Sequence, residues 1–238
     1  MQDFVHLHVH TQYSLLDGMA SVPKLVDKAM ADGMRGMAIT DHGNMMGVKD
    51  FFNYVKKKNG PVKAQISDLS KELAKLESQE GDVDEAAVAA LKEQLAQAKQ
   101  KIFKPIFGCE MYCARRGMLT KEEKTDQSGW HLIVLAKNEK GYHNLIKLVS
   151  QSFVDGFYMR PRTDHAQLEK YREGLIICSA CIGGEIPRKI LSGQLEAAEE
   201  RARWFKERWG DDFYLEIQRH EVTDPNQRAN RETAPTSR

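Results

Sequence analysis

"HLHVHTQYSLLDG", residues 6–18, decides how the rest of the chain is read. From Phe4 to His10 two kinds of side chain alternate, with Val5, Leu7 and Val9 pointing one way and His6, His8 and His10 the other. A period of two belongs to a half-buried strand. The stretch therefore predicts a first β-strand with imidazoles along one face, His8 and His10 about 7 Å apart at Cα. That spacing suits one metal ion or two neighbouring ions. Asp17, in "SLLDG", follows a turn that can fold it back over the strand end. The competing reading is a histidine pair satisfied by backbone carbonyls.

Strand and helix patterns alternate from there. Ser21 and Pro23 open a helix through "KLVDKAMADGM", and Gly33 and Gly36 end it. "GMAIT" reads as a buried strand stopping at Asp41-His42, and "GVKDFFNYVKKK" as a helix. After residue 102, "PIFGCEMYC", "HLIVLA", "GLIICSA" and "DFYLEIQR" read as strands; "EKGYHNLIKLVSQSF", "GEIPRKILSG" and "LEAAEERARWFKERW" read as helices. Repeated strand–helix units imply a parallel sheet covered by helices, and about seven of them suggest a closed barrel. The tail "HEVTDPNQRANRETAPTSR" has no periodicity.

Residues 60–102 interrupt this pattern. They are charged and rich in Ala, Lys, Glu and Gln. Ile66, Leu69, Leu73 and Leu76 form one apolar seam; Val88, Leu91, Leu95, Ala98 and Ile102 form another. The reading is an antiparallel helical hairpin, inserted between a helix and a strand, whose two stripes pack on each other. It is either a solvated structural spike or an arm that docks a partner.

Further candidate residues fall at strand ends, where α/β proteins build their sites. His42 closes "AITDH", and Asp41 beside it is placed to fix its tautomer; the alternative is a loop-capping Asp-His pair. In "FGCEMYC", Cys109, Met111 and Cys113 share one face while Glu110 and Tyr112 share the other. A carboxylate in so apolar a strand needs a cation, whether metal, lysine or arginine. Cys181 lies just past a strand, where a thiolate can ligate. His131 is awkward because it opens its strand rather than ending it. His6 reads as a lining residue outside the ligand shell. Arg160 and Arg162 in "YMRPR" read as surface salt bridges or, on the resemblance given below, as contacts to a DNA backbone. Cys178-x-x-Cys181 lacks a matching second pair, which argues against a four-cysteine zinc site. Asp164 reads as a helix N-cap.

Composition narrows the class. The 238 residues carry 35 basic and 34 acidic side chains, so a global basic field cannot drive nucleic-acid binding. No run of 18 apolar residues exists for a membrane span, and the N-terminus lacks a signal-peptide pattern. Four cysteines form no disulfide framework, which points to reduced thiols in a cytosolic protein.

The segments "HLHVHTQYSLLDG", "AITDHGNMMG", "KPIFGCEMY", "HLIVLAKNEKGYHNLIKLVS", "GFYMRPR" and "CIGGEI", in this order, resemble the N-terminal PHP (polymerase and histidinol phosphatase) domain of bacterial replicative DNA polymerase III α subunits. The resemblance spans the chain apart from the hairpin and the last residues. It implies a distorted TIM-like (β/α)7 barrel with up to three divalent metals at its C-terminal mouth. It also implies metal ligands at His8, His10, Asp17, His42, Glu110, His131 and Cys181. The family's closing Asp-x-His motif does not occur in this sequence. The expectation is therefore a fragment, residues 1–238, cut or diverged before its last ligands, with a barrel incomplete at that end and no polymerase palm. Zinc suits the donor mixture best, with manganese, iron or magnesium as alternatives.

Three functions stay open on this reading. One is a metal-dependent phosphodiesterase acting as a 3′–5′ proofreading exonuclease within a polymerase, with primer–template DNA and other replisome subunits, such as a sliding clamp, as partners. Another is a structural platform that docks a separate proofreading nuclease. The third is a phosphatase acting on a small phosphomonoester.

Overall fold

The computed structural model describes residues 4–78 and 84–218. Its elements run in order as α1 (Val22–Ala31), β1 (Gly36–Ile39), α2 (Val48–Lys58), α3 (Gly60–Glu77), α4 (Glu85–Gln100), β2 (Lys104–Cys113), β3 (Trp130–Ala136), α5 (Glu139–Val154), β4 (Arg162–Thr163), α6 (His165–Lys170), β5 (Leu175–Cys178), α7 (Glu185–Leu191), α8 (Leu195–Trp209) and β6 (Phe213–Tyr214). The sheet order is β1-β2-β3-β5-β6, with β4 also paired to β2.

The uniformly parallel sheet expected from the strand–helix alternation is corrected in one place. β3 runs antiparallel to both β2 and β5, while the β1–β2, β2–β4 and β5–β6 pairs are parallel. No α-helix separates β2 from β3, only the short 3-10 turn Lys124–Gln127, so nothing forces a crossover between them. This reversal places the start of β3 at the same rim as the end of β2.

Alternation sorts the sheet faces. Cys109, Met111 and Cys113 of β2, with Leu132 and Val134 of β3, pack beneath α5, α6 and α8 in a core that includes Leu145, Leu148, Leu168 and Phe205. Their neighbours Ile133 and Leu135 turn to the opposite, concave face and meet Ala38, Cys178 and Ala180. Burying an aliphatic side chain of this size contributes about 1.5–3 kcal/mol. A further cluster, with Val26, Ile39, Phe51 and Phe103 at its centre, fixes α1 and α2 against β1.

The first strand expected over residues 4–10 is not a regular strand. Ala38 N–H donates to the His6 carbonyl and Thr40 N–H to that of Val9, so three residue steps face two steps of β1. The surplus residue is a bulge, and the Thr40 hydroxyl takes the Val9 N–H in place of a ladder bond. The "DFYLEIQR" strand is likewise shorter than expected, its ladder ending at Tyr214. Among the described residues no ladder joins β6 to the N-terminal segment. The seam is bridged by side chains, with His8 Nδ1 2.7 Å from Glu216 Oε1.

The hairpin helices α3 and α4 lie antiparallel. Leu91, Leu95 and Ala98 are buried against the half-buried row Ile66, Leu69, Leu73 and Leu76, and Lys92 pairs with Glu77 near the tip. Part of the expected link, residues 79–83, lies outside the described residues, as do His220 and the tail. At the neck, the buried Asn59 carboxamide donates to the Phe103 carbonyl and accepts from its N–H, which clamps the two ends together.

Candidate metal centre

Glu110 is the hub of the site. Its side chain points from β2 into the concave face and is 1% exposed. The β1–β2 register, Gly36 opposite Lys104 and Ile39 opposite Phe107, continues past the end of β1 until His42 stands opposite Glu110. In the β2–β3 pair Tyr112 faces His131, so His131 sits two residues along from Glu110 on the same face. A parallel bridge from His131 to Gly184 then carries the Cys181 loop to the same point. His131 opens its strand and still reaches the rim because that strand runs antiparallel.

Two overlapping donor sets result. His8, His10 and Glu110 form one; Glu110, His131 and Cys181 form the other; within each set the ligand atoms lie within 4.8 Å of one another. Glu110 Oε1 is 3.3 Å from His8 Nε2 and 3.0 Å from His131 Nδ1, while Oε2 is 3.6 Å from His10 Nε2. Cys181 Sγ is 3.5 Å from His131 Nδ1. His42 links the hub to a further acid, with Nδ1 on Glu110 and Nε2 2.7 Å from Asp17 Oδ2. All seven residues expected to ligate metal thus converge. The tight turn that returns Asp17 depends on Gly18, where a Cβ would sit 1.8 Å from the Thr11 carbonyl oxygen.

Outer partners set the tautomers. Ser14 Oγ donates to Asp41 and so accepts from His10 Nδ1–H, leaving His10 Nε2 free to ligate. His8 Nδ1–H donates to Glu216 with the same consequence. The two free Nε2 atoms then face each other at 3.2 Å. His42 Nδ1 and Glu110 Oε2 are buried and in contact, yet neither makes a hydrogen bond of sound geometry. Convergent nitrogen, oxygen and sulfur lone pairs of this kind fit divalent ions.

The electrostatics agree with the geometry. Burial alone would push the Glu110 carboxyl up, but the imidazoles of His131, His42 and His8 in contact with it hold it well below the usual carboxylate range. Burial opposes charge on His8, and Glu110 and Glu216 overcome it, raising that imidazole to about 10. His131, beside Cys181 and Glu110, rises to about 9. The Cys181 thiol moves down: burial opposes this, and the His131 and Gly183 N–H hydrogen bonds prevail.

Two expectations are corrected, those for Asp41 and Arg162, and His6 keeps its place as a lining residue. Asp41 does not hold the His42 ring; its carboxylate is taken by Thr11 and Ser14, so it acts on His10 through Ser14. His6 is exposed against Phe4, because the bulge turns it off the ligand face, although it still lines the rim of the cavity of about 880 Å³ around the site. Arg162 is fully buried and donates to the carbonyls of Gly156, Thr120 and Met118, so it presents nothing to a phosphate. Arg160, by contrast, is exposed over the Tyr112 ring, which stacks on His42. The Asp164 cap is present. Sequence reasoning missed Glu216 and Ser14. Glu216, flanked by apolar residues in "YLEIQ", carried the signal that singled out Glu110.

The α/β sheet gathers imidazoles, carboxylates and a thiol around one shared glutamate, in two overlapping groups that could hold a metal ion. The model of the PHP domain matches residues 6–220, and the chain belongs to that family. It is 41% identical over 222 residues to DNA polymerase III subunit alpha of Borreliella burgdorferi, covering 93% of this chain and 16% of that protein. To the same subunit of Treponema pallidum it is 37% identical over 219 residues, covering 91% and 15%; to that of Aquifex aeolicus, 34% over 230 residues, covering 94% and 16%. The chain spans about a sixth of the length of the curated relatives it matches.

Proposed function

We propose that this chain is the PHP module of a replicative DNA polymerase and that its centre hydrolyses phosphodiesters, with 3′–5′ removal of mispaired nucleotides as its task. The observation that carries the reading is one buried carboxylate, Glu110, shared between two donor sets. That arrangement suits paired ions clamping the oxygens of one phosphate.

His8, His10 and Glu110 would hold one ion, Glu110, His131 and Cys181 a second, and His42 with Asp17 a third. Thiolate beside imidazole and carboxylate favours zinc, with manganese, iron or magnesium as alternatives. Such ions polarise phosphoryl oxygens and activate water near neutral pH. The chain's own residues do the positioning. Ser14 and Glu216 keep Nε2 of His10 and His8 turned inward, and Arg160 at the mouth would neutralise phosphate charge. The curved wall corresponds to a seven-stranded barrel whose seam lies at His8 and Glu216. Primer–template DNA and other replisome subunits would be the partners in the parent polymerase, in the cytoplasm; no described helix is long and apolar enough to cross a membrane.

The test is degradation of a 3′-mispaired primer with added Zn2+ or Mn2+, comparing the chain with a His8→Ala, His10→Ala variant. The chain should trim the primer and the variant should lose at least 100-fold. Equal trimming by both, or none by either, refutes the exonuclease; metal binding without trimming would favour a structural platform.

A further inference from the structure

His131 forms a wall of two cavities. One is the metal-site cleft. The other, of about 410 Å³, is lined by Arg115, Ser128, Gly129, Trp130, His131, Gly183 and Arg188. No acid lines it, whereas the metal cleft contains Asp17, Glu110 and Glu216. Among the described residues neither Arg115 nor Arg188 has a carboxylate within 4.0 Å, although arginines elsewhere are paired, as Arg116 is with Asp126 and Arg203 with Glu199. Arg115 is held in place: its guanidinium lies 4.3 Å from the Trp130 ring centre and one nitrogen donates to the Thr125 carbonyl. This leaves further N–H groups of a planar fork unused. Arg188, on α7, also lines the cavity.

We infer that this second cavity is an anion subsite that holds a neighbouring phosphate of a polynucleotide strand while another phosphate sits at the metal centre. The inference rests on the phosphodiesterase reading and adds where on this chain a neighbouring phosphate of the strand would be held. Two guanidiniums that spend no charge on protein carboxylates suit the bidentate oxygens of phosphate. A small phosphomonoester has one phosphate, which the metals alone would engage. A strand has a second phosphate nearby, and a pocket sharing a wall with the centre is where it would fall. Arg115 already covers one face of Trp130, so the pocket reads backbone charge rather than base identity.

The experiment measures binding of a fluorescent single-stranded oligonucleotide to the whole chain with Mn2+ present, alongside hydrolysis of bis(p-nitrophenyl) phosphate. Variants are Arg115→Ala, Arg188→Ala, the double variant, and Arg203→Ala as a control for general charge. Circular dichroism checks that each is folded. Each pocket substitution should weaken oligonucleotide binding by about tenfold or more, as expected for a charge-assisted hydrogen bond. The double variant should flatten the dependence of log affinity on log salt by about 0.7, the loss of one phosphate contact on a single strand. Hydrolysis of the small diester should be unchanged within about twofold, and Arg203→Ala should change nothing. Weakened binding without diester hydrolysis in any protein would support the subsite while sinking the hydrolytic reading. Equal binding by wild type and double variant, no binding by wild type, or an equal loss in Arg203→Ala overturns the subsite.

Discussion

Replacing Glu110 with glutamine removes one negative charge and keeps the shape, so its cost can be worked from the geometry. In the metal-stripped chain, His8 is raised from 6.5 to about 10, equivalent to about 5 kcal/mol favouring the imidazolium. Glu110 and Glu216 share that effect, and the His8 side chain is only 11% exposed, so screening is modest. Glu110's share is about 2 kcal/mol, which lowers Tm by about 4–8 °C for a chain of this length. The sign follows from the raised value. The contribution is complete below the unfolded pKa of 6.5 and is lost as pH climbs through about 10. Calorimetry after chelation should therefore show the widest gap between wild type and Glu110→Gln near pH 6, closing towards pH 10. With metal restored, the variant loses the one carboxylate common to both donor sets, and its bound metal, read by elemental analysis, should fall from at least two ions to at most one. An unchanged metal content together with an unchanged Tm near pH 6 would refute the placement of Glu110 as the shared hub.

Three further outcomes follow from the same contacts. Glu216→Ala should weaken metal binding by about 10–100-fold, because His8 loses the acceptor that turns Nε2 inward; competition with a fluorescent chelator measures it. Cys181→Ser should cost about tenfold or more in Zn2+ affinity and less in Mn2+ affinity, since only the softer ion gains from thiolate; metal titration of the two proteins decides it. Arg162→Met should destabilise the fold by about 3 kcal/mol or more by stranding two buried carbonyls and a part-buried third, without changing metal stoichiometry; denaturant unfolding and elemental analysis separate the two effects.

The sequence by itself determined which atoms are available. Imidazoles two apart, a carboxylate alternating with apolar neighbours in "FGCEMYC", and Asp-His or Cys at strand ends are local patterns, because a strand's period of two places alternate residues on one face wherever the strand lies. The hairpin seams and the Asp164 cap were legible for the same reason, being contacts within a few helical turns. What lay outside that reach was every relation between segments. The reversal of β3, which explains how His131 joins the rim, comes from strand pairing and leaves no mark in local periodicity. The bulge opposite β1 that expels His6 arises only when two segments are laid side by side. Asp41 serves His10 through Ser14 rather than its own neighbour, and Arg162 turns inward to three carbonyls, because tertiary packing decides which acceptors come within hydrogen-bond reach. Glu216 becomes a site residue only because the fold brings it beside His8, 208 positions away in the chain. Spacing along the chain fixes the chemistry on offer; the folded sheet fixes which groups come close enough to share a cation.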